Sequence, residues 1–98
     1  ADRAHDYYRQ ALQLNSRMPQ ALLKMCEISV NEGSYLSVRA YLQRYQEVAQ
    51  HNAKSLWLGI QLENELGDKD AVSSYALLLK NSFPDSEEAS LLNKSGIQ

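Results

Sequence analysis

The sequence matches itself at an offset of 34 residues, and this periodicity constrains the fold more than any other feature. Tyr7, Tyr41 and Tyr75 share one register position, and Gly33 and Gly67 share another. A period near 34 residues, with a glycine between two helical patterns, is typical of arrays of helix–turn–helix repeats. Such repeats cannot bury their apolar faces alone, so they stack and form an extended binding groove rather than an enclosed active site.

Apolar residues at helical spacing predict six helices and no strand, and therefore an all-α fold. The helices are expected at about 4–14, 19–32, 35–49, 53–66, 69–82 and 86–94. Gly33 and Gly67 should end the second and fourth helices in the left-handed conformation, which glycine adopts without strain. Ser34, Asn52 and Asp68 are the expected N-caps of the third, fourth and fifth helices, because their side chains can accept a hydrogen bond from the first turn.

The predicted organisation is one domain, 1–98, with a half repeat at 1–17, full repeats at 18–51 and 52–85, and a short C-terminal capping helix at about 86–94. The first helix fills the second-helix slot of a repeat whose first helix is absent. The face bearing Tyr7 and Ala11 should therefore need cover, either from the rest of a longer repeat protein or from a second chain. We expect this chain to be a fragment of a longer protein, and the isolated fragment to self-associate or to be poorly stable.

Composition excludes several classes of partner. The net charge is −2 and no basic run is present, so nucleic-acid binding has no support. No apolar stretch approaches the length of a membrane span. Cys26 is the single cysteine and lies within a helical pattern, where a lone thiol is expected to be a small buried residue. It has no partner for an internal disulfide and no zinc-ligand spacing around it.

The titratable residues do not form a catalytic pattern. His5 and His51 have no serine or cysteine at a useful spacing and are expected to be surface histidines. Glu63 and Glu65 are two residues apart on a helix, so their carboxylates cannot face each other. No phosphate-binding loop or metal-ligand cluster is recognisable. The sequence therefore predicts no enzyme, no cofactor, no metal and no small-molecule substrate.

The groove is the predicted functional surface, because the first helix of each repeat lines the concave face. At about 100° per residue, the inner arc of the 53–66 helix holds Leu56, Leu58, Gly59, Ile60, Leu62 and Leu66. The opposite arc and its equivalent in the preceding repeat form the expected partner-binding strip: Leu23, Glu27, Asn31, Lys54, Trp57, Gln61, Asn64 and Glu65. Trp57 has two open interpretations, a binding anchor or a residue packed on the adjoining helix. Tyr7, Tyr41 and Tyr75 are expected to pack between helices.

Several of these positions resemble the tetratricopeptide repeat. Ala4, Tyr7, Tyr8, Ala11 and Leu12 follow the second-helix pattern of that family. Leu58-Gly59, followed by Leu62, Ala71 and Tyr75, resembles the positions of its first and second helices. The resemblance covers nearly the whole chain. It implies a tetratricopeptide-like α-solenoid of helix hairpins that binds a protein or peptide.

A narrower resemblance is to the type IV pilus biogenesis and stability lipoprotein, the pilotin of the pilus secretin. It rests on the runs 55–63 and 66–69, on the ending 74–80 with 83–87, and on the segments 33–35, 39–42 and 44–45. Members face the periplasm, are anchored to the outer membrane by a lipid on an N-terminal cysteine, and assist secretin assembly. The resemblance implies a secretin subunit as partner and a lipid anchor outside this chain, since Cys26 lies within a helix.

Two alternatives remain open at this point. A generic tetratricopeptide adaptor would dock a cytosolic partner peptide and would place the chain in the cytoplasm. The repeat could also be appended to an enzyme, because the chain looks truncated. Upstream sequence would separate them: a signal peptide ending in a lipid-acceptor cysteine favours the pilus lipoprotein, and a catalytic domain favours the appended repeat.

Overall fold

Six α-helices make up the described part of the chain, residues 2–97 of a computed structural model. The side chains of Asp2 and Ala4 lie outside the described set, so the predicted role of Ala4 at its register position is not assessed. The helices are α1 (Asp2–Leu14), α2 (Pro19–Glu32), α3 (Tyr35–Val48), α4 (Ala53–Leu66), α5 (Lys69–Ser82) and α6 (Glu87–Ser95). No strand occurs among residues 2–97. The all-α prediction is confirmed, with α1 starting two residues earlier, α3 ending one residue earlier and α6 lying one residue later than expected.

Local chemistry explains most helix ends. Asn52 Oδ1 accepts a hydrogen bond from the Ser55 amide at 2.7 Å, and Ser55 Oγ accepts one from the Asn52 amide at 2.8 Å, which makes a capping box at α4. Asp68 Oδ1 likewise accepts from the Ala71 amide at 3.0 Å, as predicted. The prediction for Ser34 is wrong in one respect. It occupies the N-cap position of α3, but its side chain makes no capping hydrogen bond.

Gly33 and Gly67 end α2 and α4 in the left-handed conformation, with φ of 75° and 80°, which confirms their equivalence in the repeat. Nothing lies within 4 Å of a Cβ built at either position. A substitution there would therefore strain the backbone at positive φ without causing a steric clash. We predict that Gly33→Val or Gly67→Val lowers the free energy of unfolding by about 1–2 kcal/mol, because a β-branched residue resists positive φ. Asparagine tolerates this region, so Gly67→Asn is the matched control and should cost less. Equal thermal melts for all three variants would contradict the turn assignment.

The helices group into two compact units, one of residues up to Gln50 and one of residues from His51 onward. In the first unit α2 packs against both α1 and α3. Its buried apolar side chains are Leu12, Ala21, Leu22, Met25, Cys26, Val38, Leu42 and Tyr45. Cys26 is fully buried, as predicted, and burial raises the pKa of its thiol to about 12. The thiol is therefore protonated and unreactive at neutral pH.

The second unit is built from α4, α5 and α6, which all contact one another. Its core cluster is Leu56, Ile60, Val72, Ala76, Leu79, Ala89 and Leu92. Within the predicted inner arc of α4, all members are buried except Leu66, which is 41% exposed. Leu66 lies in the last turn of its helix, beyond the reach of this core. The inner-arc prediction is wrong for that residue.

At Gly59 a side chain of α5 lies close to the backbone of α4. A Cβ at this position would lie 3.0 Å from Cε2 and Cζ of Tyr75. The absence of a side chain therefore lets the Tyr75 ring lie directly on the backbone of α4. This confirms Tyr75 as an inter-helix packing residue. The neighbouring His51 ring meets Tyr75 edge to face, with centroids 5.6 Å apart.

The first helix is less well covered than its equivalents. Leu42 and Tyr45 of α3 are buried, whereas the register-equivalent Tyr8 and Ala11 of α1 are only half-buried. Tyr7 is 68% exposed, so the prediction that it packs between helices is wrong. Its ring contacts Tyr8 edge to face at 5.1 Å. The assignment of α1 to a half repeat stays a prediction.

Self-association of the isolated chain remains a prediction. We expect a concentration-dependent dimer, because α1 leaves Tyr7 and the 90%-exposed Leu14 in contact with water. Sedimentation of wild type and of Tyr7→Ser/Leu14→Ser tests this, and the double variant should shift toward monomer. A wild-type chain that stays monomeric and soluble at high concentration would contradict it.

Candidate partner-binding site

The predicted strip lies in two parts, one in each compact unit. In the first unit, Leu23 and Glu27 of α2 are half-buried and Asn31 is exposed. Glu27 forms an ion pair with Lys24, with Oε2 and Nζ 3.4 Å apart. Glu27 and Asn31 line one hollow of about 230 Å³ together with Tyr8, Lys24 and Ile28. The structure thus brings two of the three predicted α2 residues into a common concave surface.

In the second unit the predicted residues follow one side of α4. Lys54, Trp57 and Gln61 are half-buried, and Asn64 and Glu65 are exposed. Trp57 was expected to be either a largely exposed anchor or a packed residue. It packs against the edge of the core cluster of the second unit while part of the indole remains accessible. Trp57 can therefore both pack on the core and contact a partner. The strip as a binding site stays a prediction.

A Ser–His pair was not expected, yet the structure contains one. His51 Nδ1 lies 2.8 Å from Ser55 Oγ, because position i+4 follows His51 around the first turn of α4. The prediction that His51 is a surface histidine without a serine partner is therefore wrong. The hydroxyl is not an available nucleophile, however. Ser55 is 0% exposed, and its Oγ also accepts from the Asn52 amide and donates to the Asn52 carbonyl.

Partial burial lowers the pKa of His51 below its ordinary value of 6.5. The pKa of His51 is lowered in the folded chain and ordinary in the unfolded chain. Between these two values the unfolded chain binds more protons, so the free energy of unfolding falls as the pH falls through that window. A positive imidazolium beside the N-terminus of α4 would also oppose the helix dipole. We predict that chemical denaturation between about pH 5 and 8 shows this loss, and that His51→Gln reduces it. An identical pH dependence in both proteins would contradict this role.

A second cavity involves residues that the sequence did not single out. A cleft of about 620 Å³ opens in the second unit between the end of α4, the start of α5 and the end of α6. Its lining residues are Glu63, Asn64, Gly67, Asp68, Lys69, Val72, Ser73, Ser95, Gly96 and Ile97. Glu63 is only 8% exposed, in contrast to the exposed Glu65 two residues later. The two carboxylates thus differ in environment, as their helical spacing predicts.

Metal and membrane features are absent from the described residues. No group of three histidine, cysteine, aspartate or glutamate side chains within residues 2–97 is arranged to hold a metal ion. Over the same span, every helix is too short or too polar to cross a membrane.

These features define a helical repeat protein of the tetratricopeptide type, a class whose folds present surfaces for protein binding. No protein-family model matches the chain. The chain is 35% identical over 85 residues to the type IV pilus assembly protein PilF of Pseudomonas aeruginosa. That match covers 87% of this chain and 34% of PilF.

A solved structure from the functional characterization of Pseudomonas aeruginosa PilF is also similar. It superposes with a TM-score of 0.85 at 32% identity, covering 93% of this chain and 41% of that one. The two comparisons show that the chain is homologous to PilF over most of its own length. The chain spans about a third of the length of this relative.

Proposed function

We propose that this chain is a non-enzymatic, protein-binding part of a type IV pilus assembly protein. The observation that carries the proposal is the homology to PilF, which extends over 87% of the chain in sequence and 93% in structure. A fold match of this quality at 32% identity supports common descent rather than the helical repeat alone.

The finer proposal is that the chain assists assembly of the outer-membrane secretin, and through it fimbrial biogenesis and twitching motility. Its place would be the periplasmic side of the outer membrane, held by a lipid anchor outside this chain. The resemblance of the sequence to the pilotin lipoprotein supports this. The residues we assign to the secretin subunit are the two parts of the strip described above, each within its own unit, with Trp57 of the second unit as the largest side chain.

The chemistry of the strip suits a peptide better than a small molecule. Aromatic side chains with an accessible edge are enriched at protein-binding hot spots. In the second unit, the amides of Gln61 and Asn64 can hydrogen-bond the main chain of an extended or helical peptide, and Asn31 offers the same chemistry in the first unit. The lysine and glutamates at the margins would set its register by charge.

A chimera tests the proposal in a pilus-forming cell. The homologous third of Pseudomonas aeruginosa PilF is replaced by this chain in a strain that lacks its own PilF. We expect the chimera to support assembled secretin in outer-membrane fractions and twitching on agar. Trp57→Ala in the same chimera should reduce both at equal protein level. A chimera that accumulates normally but assembles no secretin would contradict the proposal, and would leave the cytosolic adaptor as the better interpretation.

A further inference from the structure

Two arginines meet at one corner of the first unit. Arg44 of α3 donates a hydrogen bond from Nη2 to the Ser16 carbonyl at 2.9 Å, and Arg17 donates one from Nη2 to the Glu47 carbonyl at 3.5 Å. Ser16 and Arg17 are adjacent in the turn between α1 and α2, and Glu47 lies about one helical turn beyond Arg44. Each side chain thus reaches the segment that carries the other, and the two guanidinium groups lie close together where this turn meets the end of α3.

Local contacts hold both arginines in position. The Arg44 guanidinium lies over the Tyr41 ring, 5.7 Å from its centroid, which is a cation–π contact. The Arg17 amide donates to Asn15 Oδ1 at 3.1 Å, which fixes the turn from which Arg17 extends. Arg44 and Tyr41 are half-buried, whereas Arg17 is exposed. A ligand at this corner would therefore meet one pre-oriented guanidinium and one that can adjust.

Neither guanidinium has a negatively charged partner among residues 2–97. The ion pairs formed within that span include neither Arg17 nor Arg44. The hydrogen bonds to the two carbonyls use one N–H of each guanidinium, a group that carries five such donors. Burying a charge is costly unless it is paired. The half-buried Arg44, with Arg17 beside it, therefore leaves an uncompensated positive corner.

The 34-residue register does not require arginine at either position. Arg17 corresponds to His51 and Asp85, and Arg44 corresponds to Leu78. Helices α4 and α5 pack against each other with neither arginine at the equivalent place. The pair is therefore a feature of the first unit and not a structural need of the repeat.

The surroundings of the pair favour a carboxylate over a phosphate. Phosphate sites commonly present backbone N–H groups at the N-terminus of a helix. Here the nearby backbone offers the carbonyls of Ser16 and Glu47 instead, and the C-terminal end of α3 adds partial negative charge. These oxygens would repel a doubly charged phosphate more than a singly charged carboxylate. A guanidinium can bind a carboxylate through two parallel hydrogen bonds.

We propose that Arg17 and Arg44 together bind an aspartate or glutamate side chain of a partner protein. Arg44, held by Tyr41, would bind the carboxylate through its planar fork, and Arg17 would contact it from the turn. Neither arginine belongs to the strip that contains Trp57. The inference can therefore fail while the proposed pilus function stands, and the reverse also holds.

The probe is an acetylated and amidated tetraglutamate peptide, titrated into the isotope-labelled chain and followed by amide chemical shifts. The tetraglutamine peptide has nearly the same shape without the charge and is the matched control ligand, and inorganic phosphate is the third ligand. We expect shifts centred on Arg17, Tyr41 and Glu47, and affinity for the glutamine peptide at least about tenfold weaker, because charge-assisted hydrogen bonds are lost. Equal affinity for the two peptides, shifts scattered over both units, or tighter binding of phosphate than of the glutamate peptide would overturn the proposal.

Four variants sharpen the test. Arg44→Gln should weaken binding of the glutamate peptide about tenfold, and Arg44→Lys about fivefold, because lysine keeps the charge without the planar fork. Arg17→Gln should weaken it about fivefold, the upper end for an exposed charge. Arg9→Gln removes the same charge from an exposed position of α1 and should leave the affinity within about twofold. If the Arg44 variants fail to fold, the exposed Arg17→Gln decides the matter, and an affinity equal to that of Arg9→Gln would refute the site.

Discussion

Replacing Gly59 with leucine should lower the free energy of unfolding by about 3 kcal/mol, because over-packing a tight contact forces off-rotamer side chains and backbone shifts. Even a single Cβ at this position would lie 3.0 Å from the Tyr75 ring, and leucine adds three further carbons. The ring has little freedom to retreat, since the edge-to-face contact with His51 lies beside it. The clash would therefore also disturb the His51–Ser55 hydrogen bond at the start of α4.

Two controls separate this clash from other effects of the substitution. Gly59→Ala gains about 1 kcal/mol of helix propensity, which should offset much of the smaller clash and leave stability nearly unchanged. Ser74→Leu adds a leucine at an exposed position of α5 and should also be nearly neutral. In a Tyr75→Ala background the cost of Gly59→Leu should shrink by at least about 1 kcal/mol, as expected for residues in contact. Urea denaturation of the set measures this, and additive effects would show that Tyr75 does not set the cost.

Sequence alone predicted the features that local chemistry determines. Asn52 and Gly67 lie within a few residues of the groups that they cap, so the sequence around them specifies the ends of α4. The 34-residue register likewise identified Gly33 and Gly67 as equivalent. Tyr7 shows the limit of that logic. The repeat register predicts which positions correspond. It does not predict burial, because burial depends on the helix that packs opposite, and Tyr7 is exposed.

The cleft and the Ser–His pair could not be predicted for a related reason. The cleft lies between three helix ends that the sequence does not place side by side: the end of α4, the start of α5 and the end of α6. His51 precedes α4 and lies outside its helical pattern, yet position i+4 brings its ring to Ser55. Gly59 corresponds to Met25 in the register, so the close approach of Tyr75 belongs to the second unit and not to every repeat.

Trp57 presents a similar ambiguity, since a helical wheel gives the direction of a side chain but not its neighbours. The structure shows the indole half-buried against the core cluster. Truncating a fully buried tryptophan costs roughly 3–5 kcal/mol. We therefore expect Trp57→Ala to cost an intermediate amount of stability, about 2 kcal/mol, because only part of its contact surface is lost from the core.

Binding should respond separately from stability. If the exposed edge of Trp57 anchors a partner, Trp57→Ala should weaken binding of a purified secretin subunit by about 2 kcal/mol or more, a loss typical of aromatic hot spots. Phe83→Ala is the matched control, since Phe83 is also half-buried against the same core cluster but lies outside the strip. Both variants should melt at lower temperature, and only Trp57→Ala should lose affinity per folded molecule. Equal affinities for the two variants would assign Trp57 to packing and remove it from the binding surface.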